Sequence, residues 1–259
     1  GVAGVAIATS VSNAISAILV VILLIRETSD IKLHFGKWMI NKDALFKVMK
    51  IGVPSAIQGM VFSISNLCVQ SAVNSLGTNT IAANATAVFF EIFPLYIFSA
   101  FSNACVTFMS QNFGAKNYDR CKMVYKYCLL LGTASSLLLT IILQISANYI
   151  IMMFTTDVAV IVIAMIRIRM VGCFAWIQTL FDTSGAALRA LRHPILPAIM
   201  VILGTVVFRI IWCMTVFPVY KTYSVVAIVY PISWVIIDVA MYIAYKIISR
   251  KELKFGDGA

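Results

Sequence analysis

Charge is scarce in this 259-residue chain. Asp, Glu, Lys and Arg make up 12% of it, against 61% hydrophobic residues. A soluble domain carries about 25% charged residues. So little polar surface cannot cover a water-exposed globule, and an ordinary soluble domain is excluded. The bilayer is the solvent that fits, and with it an all-α, polytopic helical membrane fold. Histidine is rarer still. His34 and His193 lie in connections beside basic residues, where a histidine is normally solvated. The six cysteines (Cys68, Cys105, Cys121, Cys128, Cys173 and Cys213) form no CxxC and no Cys/His cluster. That excludes a metal centre and a disulfide framework, and a thiol inside an apolar span acts as a small hydrophobe. There is no Gly-rich phosphate loop, no GxSxG and no HExxH, so no catalytic residue and no cofactor is expected. The opening Gly1-Val-Ala-Gly4 has no initiator methionine and no basic n-region. It does not read as a signal peptide but as a chain that starts partway through a protein.

The apolar residues fall into about seven spans. Gly1 to Leu24 is uncharged and long enough to cross about 30 Å of hydrocarbon. Residues 26–50 form a lysine-rich connection, in which Asn41 can cap a short interfacial helix carrying Leu45, Phe46 and Met49 on one face. Later spans run over about 51–74, 80–110, 125–154, 158–188, 194–217 and 224–248. Thr155-Thr156-Asp157 supplies a turn and a helix start. The net charge of +10 would suggest nucleic acid in a soluble protein. Here alternate connections, with the tail, hold 16 of the 20 Lys and Arg; the intervening ones hold only Lys221, and Arg167, Arg169 and Arg209 lie inside spans. By the positive-inside rule the first, third and fifth connections and the tail are cytoplasmic. The partner is the lipid bilayer, not nucleic acid.

Polar residues inside spans are the informative ones. Gly52, Ser55, Gly59, Ser63, Asn66, Gln70 and Asn74 recur every three or four residues and line one face of a helix. Such a face meets other helices or a watery cavity, because polar groups facing lipid are costly. Among them Ser63, Asn66, Gln70 and Asn74 are the cavity-lining candidates. Glu91, Arg167, Arg169 and Arg209 each lie about 8–12 residues below an external span end, in one layer of the outer half. An unpaired charge there costs about 2.5–3.5 kcal/mol even on the lenient insertion scale. Glu91 therefore pairs with one of the arginines, either as a structural ion pair or as a functional one. Arg167, Gln178, Asp182 and Arg189 share a helix face, whereas Arg169, about 200° round from Arg167, points elsewhere. Asp238 is a further buried-acid candidate that snorkels or pairs with Lys246. Pro94 and Pro231, inside spans, mark bends.

Five stretches, in order, resemble the C-terminal half of multidrug and toxic compound extrusion (MATE) antiporters. Gly1-Val-Ala-Gly-Val-Ala-Ile-Ala-Thr9 is similar to the entry to the family's sixth helix. Ile51-Gly-Val-Pro-Ser-Ala-Ile-Gln58 resembles the opening of its seventh. Phe113-Gly-Ala-Lys-Asn117, after Ser110-Gln-Asn112, resembles the segment following helix eight. Ser184-Gly-Ala-Ala-Leu-Arg189 resembles the end of helix ten, and Tyr230-Pro-Ile-Ser-Trp234 a motif of helix twelve.

The resemblance implies that residues 1–25 are the last helix of an N-terminal lobe, 26–50 an inter-lobe linker, 51–250 a six-helix C-terminal lobe and 251–259 a cytoplasmic tail. It implies a plasma-membrane antiporter that exports drugs or organic cations in exchange for H⁺ or Na⁺ by alternating access. Its partner would be the N-terminal lobe of the same protein, absent from this chain. Glu91, Arg167, Arg209, Gln178 and Asp182 would then be the ion- and substrate-coupling candidates. Two acids of one branch are not matched: Phe62 stands at the helix-seven position, and Gln178, with Asp182 one turn on, at the helix-ten position. Glu91 resembles the helix-eight acid of another branch. The runners-up are a lipid-linked oligosaccharide flippase, whose anionic head group the three arginines would suit, and a truncated, non-transporting membrane protein.

Overall fold

A computed structural model describes residues 2–28, 32 and 41–253; the side chains of Val2, Val5, Ile51, Pro54, Ser55 and Gln58 are outside that description. Residues 29–31 and 33–40 of the connection, with His34 and Lys37, and the end of the tail lie outside the described residues. All regular structure among the described residues is helical. The chain divides into two compact units, Gly1–Met49 and Lys50–Ala259.

In the first unit, α1 (Val2–Arg26) exposes apolar side chains along its length, as a helix bathed in lipid does. Arg26 ends it. The next helix starts at an asparagine cap, where Asn41 Oδ1 accepts from the backbone N–H of Asp43 (2.9 Å) and Ala44 (3.2 Å). That satisfies two of the four orphan donors of the first turn. The helix does not stop after a short interfacial stretch, as its sequence suggested. It runs on as α2 (Lys42–Asn74), because nothing between Met49 and Gly52 breaks helical hydrogen bonding.

In the second unit, α3 (Thr78–Gly114) and α4 (Tyr118–Phe154) are each 37 residues long. α5 (Val158–Met170) is capped by Asp157, whose Oδ1 accepts from Ala159 N at 2.9 Å. A 3-10 turn (Gly172–Ile177) leads into α6 (Gln178–Ala190). α7 (Ile195–Val201), a π-helical turn (Ile202–Val207), α8 (Phe208–Thr215) and the short α9 (Phe217–Tyr220) make up the next span. α10 (Tyr223–Glu252) is last. Among the described residues six helical stretches are long and apolar enough to cross a membrane. α2, which carries the polar stripe, is long enough but is not one of them.

The breaks fall at glycines rather than prolines. Pro94 and Pro231 lie buried inside unbroken helices. The 3-10 turn at Gly172 withdraws a donor from the carbonyl of Ile168, and Gln144 of α4 replaces it, its Nε2 donating at 2.7 Å. A Cβ at Gly172 would stand 2.8 Å from that nitrogen. In the π-helical turn a Cβ at Gly204 would stand 2.6 Å from Ile237 Cγ1 of α10, which is fully buried. Overpacking of this kind costs about 1–3 kcal/mol. Gly204→Ala is therefore expected to lower the thermal midpoint in detergent by several degrees. Gly59→Ala, with nothing within 4 Å of its Cβ, should leave it unchanged or slightly raised.

Between helices, small and hydroxylated residues allow close approach. A Cβ at Gly132 of α4 would meet Phe101 and Thr179 at 3.0–3.1 Å. Thr179 Oγ1 donates to Ser136 Oγ (2.9 Å), Tyr125 and Ser184 share a hydrogen bond (3.0 Å), and Tyr125 stacks on Tyr245. These contacts fix α4, α6 and α10 about α3 and hold open a polar gap on the other side of α3.

Candidate functional site

That gap is a cavity of about 320 Å³ within the second unit, walled by α2, α3, α5, α6, α8 and α10. At its centre Arg167 of α5 grips Glu91 of α3 with both ends of its guanidinium. Nε donates to Glu91 Oε1 at 2.6 Å and Nη2 to Oε2 at 2.9 Å. The Arg167 side chain is 4% exposed and that of Glu91 17%. Bidentate charge-assisted bonds of this length are the strong ones. Removing one partner of such a buried pair costs about 3–5 kcal/mol, because it strands the other charge.

The pair extends into an amide chain. Arg167 Nη1 donates to Asn84 Oδ1 (2.8 Å), which also accepts from the Tyr223 hydroxyl (2.9 Å). Asn84 Nδ2 donates to Gln70 Oε1 (3.1 Å), and Gln70 Nε2 to Asn74 Oδ1 (2.8 Å). A displacement of Arg167 is therefore felt on α2, α3 and α10 at once.

Arg209 of α8 is the second buried cation. Its Nε and Nη2 donate to Ser233 Oγ at 3.2 and 3.1 Å, and its Nη1 to Asn66 Oδ1 at 3.3 Å. Tyr230 joins the two arginines: Arg167 Cζ lies 4.6 Å and Arg209 Cζ 4.3 Å from its ring centroid. The ring quadrupole attracts both cations and so tempers their mutual repulsion.

Of the residues singled out from sequence, Glu91, Arg167, Arg209, Gln178, Asn66 and Gln70 line this one cavity. Asn74 reaches it through Gln70. Ser63 does not line it: it is exposed, and its hydroxyl is turned back to Gly59 O (3.0 Å). Asp182 lies outside the lining; its backbone carbonyl accepts from Ser102. Arg169 is exposed, on another face from Arg167. Asp238 is not paired with Lys246, whose Nζ sits over the Tyr242 ring instead, and Asp238 Oδ1 is buried without a partner among the described residues. His193 is not merely solvated, for its Nε2 contacts Glu252 Oε1 at 3.3 Å. Sequence reasoning missed Asn84 and Tyr223, and took Tyr230 and Ser233 only as part of a motif. A signal was there: Asn84 precedes Glu91, and Tyr223 precedes Tyr230, by seven residues, two turns on one helix face.

Residues 54–215 match the family model described as MatE. The chain belongs to the MATE family. Among curated MATE-like relatives, the probable multidrug resistance protein YoeA of Bacillus subtilis is 27% identical over 212 residues, covering 77% of this chain and 44% of the relative. The multidrug export protein MepA of Staphylococcus haemolyticus is 24% identical over 164 residues, covering 63% and 36%. Among solved structures, an outward-facing multidrug resistance MATE family transporter superposes with a TM-score of 0.85 at 16% identity, over 99% of this chain and 58% of that one. The MATE transporter VcmN of Vibrio cholerae, in its bent form, gives 0.74 at 17% identity, over 86% and 51%. The chain thus spans less than half the length of these curated relatives. Phe62 lies on the cavity wall with its ring centroid 5.6 Å from Arg209 Cζ.

Proposed function

We propose that this chain is one half of a secondary active antiporter that exports small organic cations in exchange for protons by alternating access. The observation that carries the proposal is the bidentate Glu91–Arg167 pair inside a polar cavity of a MATE protein. A proton on Glu91 cancels the charge that holds Arg167. The cavity then becomes more positive, which disfavours a bound cation, so proton and cargo occupy it alternately. The names of the relatives, multidrug export and multidrug resistance proteins, support the cargo class. Na⁺ is less suited as the coupling ion. A hard cation needs several oxygen ligands at once, and both Glu91 oxygens are already engaged by Arg167.

The test uses the full-length protein in proteoliposomes loaded with a cationic dye. A pH gradient, acid on the side opposite the dye, should drive dye movement; a Na⁺ gradient at equal pH should not. Movement driven by Na⁺ alone would overturn the proton assignment.

The orientation, with the tail in the cytoplasm of the plasma membrane, rests on the distribution of Lys and Arg. Lys116 and Asn79 are exposed near opposite ends of α3. After the native cysteines are replaced, a single cysteine at Lys116 should be protected from an impermeant thiol reagent in intact cells. One at Asn79 should be labelled. Labelling at Lys116 without permeabilisation would reverse the orientation.

A further inference from the structure

The charges in the cavity do not balance. Its lining holds two guanidiniums, Arg167 and Arg209, and one carboxylate, Glu91. Arg167 takes both oxygens of that carboxylate. Among the described residues no carboxylate stands within 4.0 Å of Arg209, although Arg209 has no exposed surface at all. A buried, unpaired charge is the costliest arrangement a helical membrane protein can hold, and such charges mark functional sites.

The hydrogen bonds of Arg209 are as incomplete as its charge. A guanidinium has five N–H donors. Three are used, all on neutral acceptors at 3.1–3.3 Å, against 2.6–2.9 Å for the bonds Arg167 makes to Glu91. Two of the three converge on one oxygen, Ser233 Oγ, which also donates to Tyr230 O (2.8 Å). One N–H on each terminal nitrogen has no acceptor among the described residues. The rings of Tyr230 and Phe62, at 4.3 and 5.6 Å, supply quadrupoles but no negative charge. The polar residues nearest to Arg209, Asn66 and Ser233, are neutral.

We infer that Arg209, with Asn66 and Ser233, forms a subsite for one small singly charged anion in the cavity wall. The two free N–H donors, one on each terminal nitrogen, suit a halide or a carboxylate. The anion would displace the Asn66 amide oxygen, the longest and weakest of the present acceptors, because Arg209 has no surface open to the cavity while Asn66 covers it. With the anion bound the cavity is neutral; without it the net charge is +1, which repels a cationic cargo. The anion is thus a counter-ion that admits a cation to the cavity, a role that rests on the proposed transport reading. The anion site itself does not rest on it. Chloride and the carboxylate of an organic acid are the two sources of such a charge, and the test separates them.

The full-length protein is purified in detergent in sodium sulfate, and chloride or benzoate is added at constant ionic strength while thermal unfolding is followed. A ligand that binds the folded state raises the midpoint with the logarithm of its concentration, by about 1–2 °C for each factor of five in binding. Chloride is expected to do so for the wild type and not for Arg209→Gln. Because Arg209→Gln removes buried hydrogen bonds to Ser233 and Asn66, Asn66→Asp provides a second variant of nearly unchanged shape. It places a fixed carboxylate beside Arg209, and in sulfate it should be as stable as the wild type in chloride and no longer respond to chloride. A response to benzoate but not chloride, lost in the same variants, assigns the site to an organic carboxylate. No response to either anion, or equal responses in wild type and both variants, overturns the subsite. Dye movement under a pH gradient is measured on the same proteins after reconstitution into liposomes. An Arg209-dependent chloride response without dye movement leaves the anion site standing and defeats the transport reading. Dye movement without the chloride response does the reverse.

Discussion

Replacing Glu91 by glutamine in the full-length transporter is expected to cut proton-driven dye efflux by on the order of 100-fold per inserted molecule. That is the upper part of the range that about 1–3 kcal/mol of coupling between two ligands can generate. Glutamine keeps the size of the side chain and one acceptor oxygen, but it cannot carry a proton on and off. It also leaves Arg167 without its counter-charge, so some loss of thermal stability accompanies the loss of transport. The two effects are separated by exchanging the partners, Glu91→Arg together with Arg167→Glu. If the pair only holds α3 against α5, the exchange restores both stability and efflux. If the carboxylate must be read from α3, where Asn84 and Gln70 pass its state to α2, stability returns and efflux does not. Efflux of Glu91→Gln at the wild-type rate between about pH 6 and 8 would remove Glu91 from the coupling network.

The second large effect concerns the chain by itself. Expressed alone, the 259 residues are expected to give no energised efflux of cationic dyes, whereas the same residues within a protein that supplies a facing lobe should give it. The chain spans 51–58% of the solved MATE chains described above. Alternating access needs two walls that rock about a common cavity. Here the cavity lies within one helical unit and is bounded on one side by the exposed ring of Phe62. Dye resistance is the simple measure, with insertion confirmed by surface labelling. Energised efflux from the folded, monomeric 259-residue chain would refute the need for a facing lobe.

The span pattern was legible because two independent signals, hydropathy and the distribution of Lys and Arg, follow the same periodicity. The site was legible in its charges. Depth placed Glu91 in one layer with the buried arginines, and the structure joins it to Arg167. Depth could not choose between Arg167 and Arg209, because that depends on the rotation of α5 and α8 about their axes, which neighbouring side chains set. The spacing of Asn66, Gln70 and Asn74 marked the right face of α2. Their partners Asn84 and Tyr223 are neutral residues of common type and gave no comparable signal. The helix breaks at Gly172 and Gly204 were not legible in the sequence, for a physical reason. Pro94 and Pro231 each remove one donor, which a long, packed helix tolerates. The turns at Gly172 and Gly204 form where a neighbouring side chain, Gln144 or Ile237, needs the space a Cβ would fill. That need is written in α4 and α10, far along the sequence.

The decisive measurement is proton release on binding. The purified full-length protein is placed in weakly buffered detergent solution near neutral pH, and a cationic dye is added while the pH is recorded. The wild type should release protons in proportion to the dye bound. Glu91→Gln should release none, with dye binding confirmed separately by fluorescence polarisation. Equal proton release by both proteins would show that the coupling carboxylate lies elsewhere and that the Glu91–Arg167 pair only holds helices together.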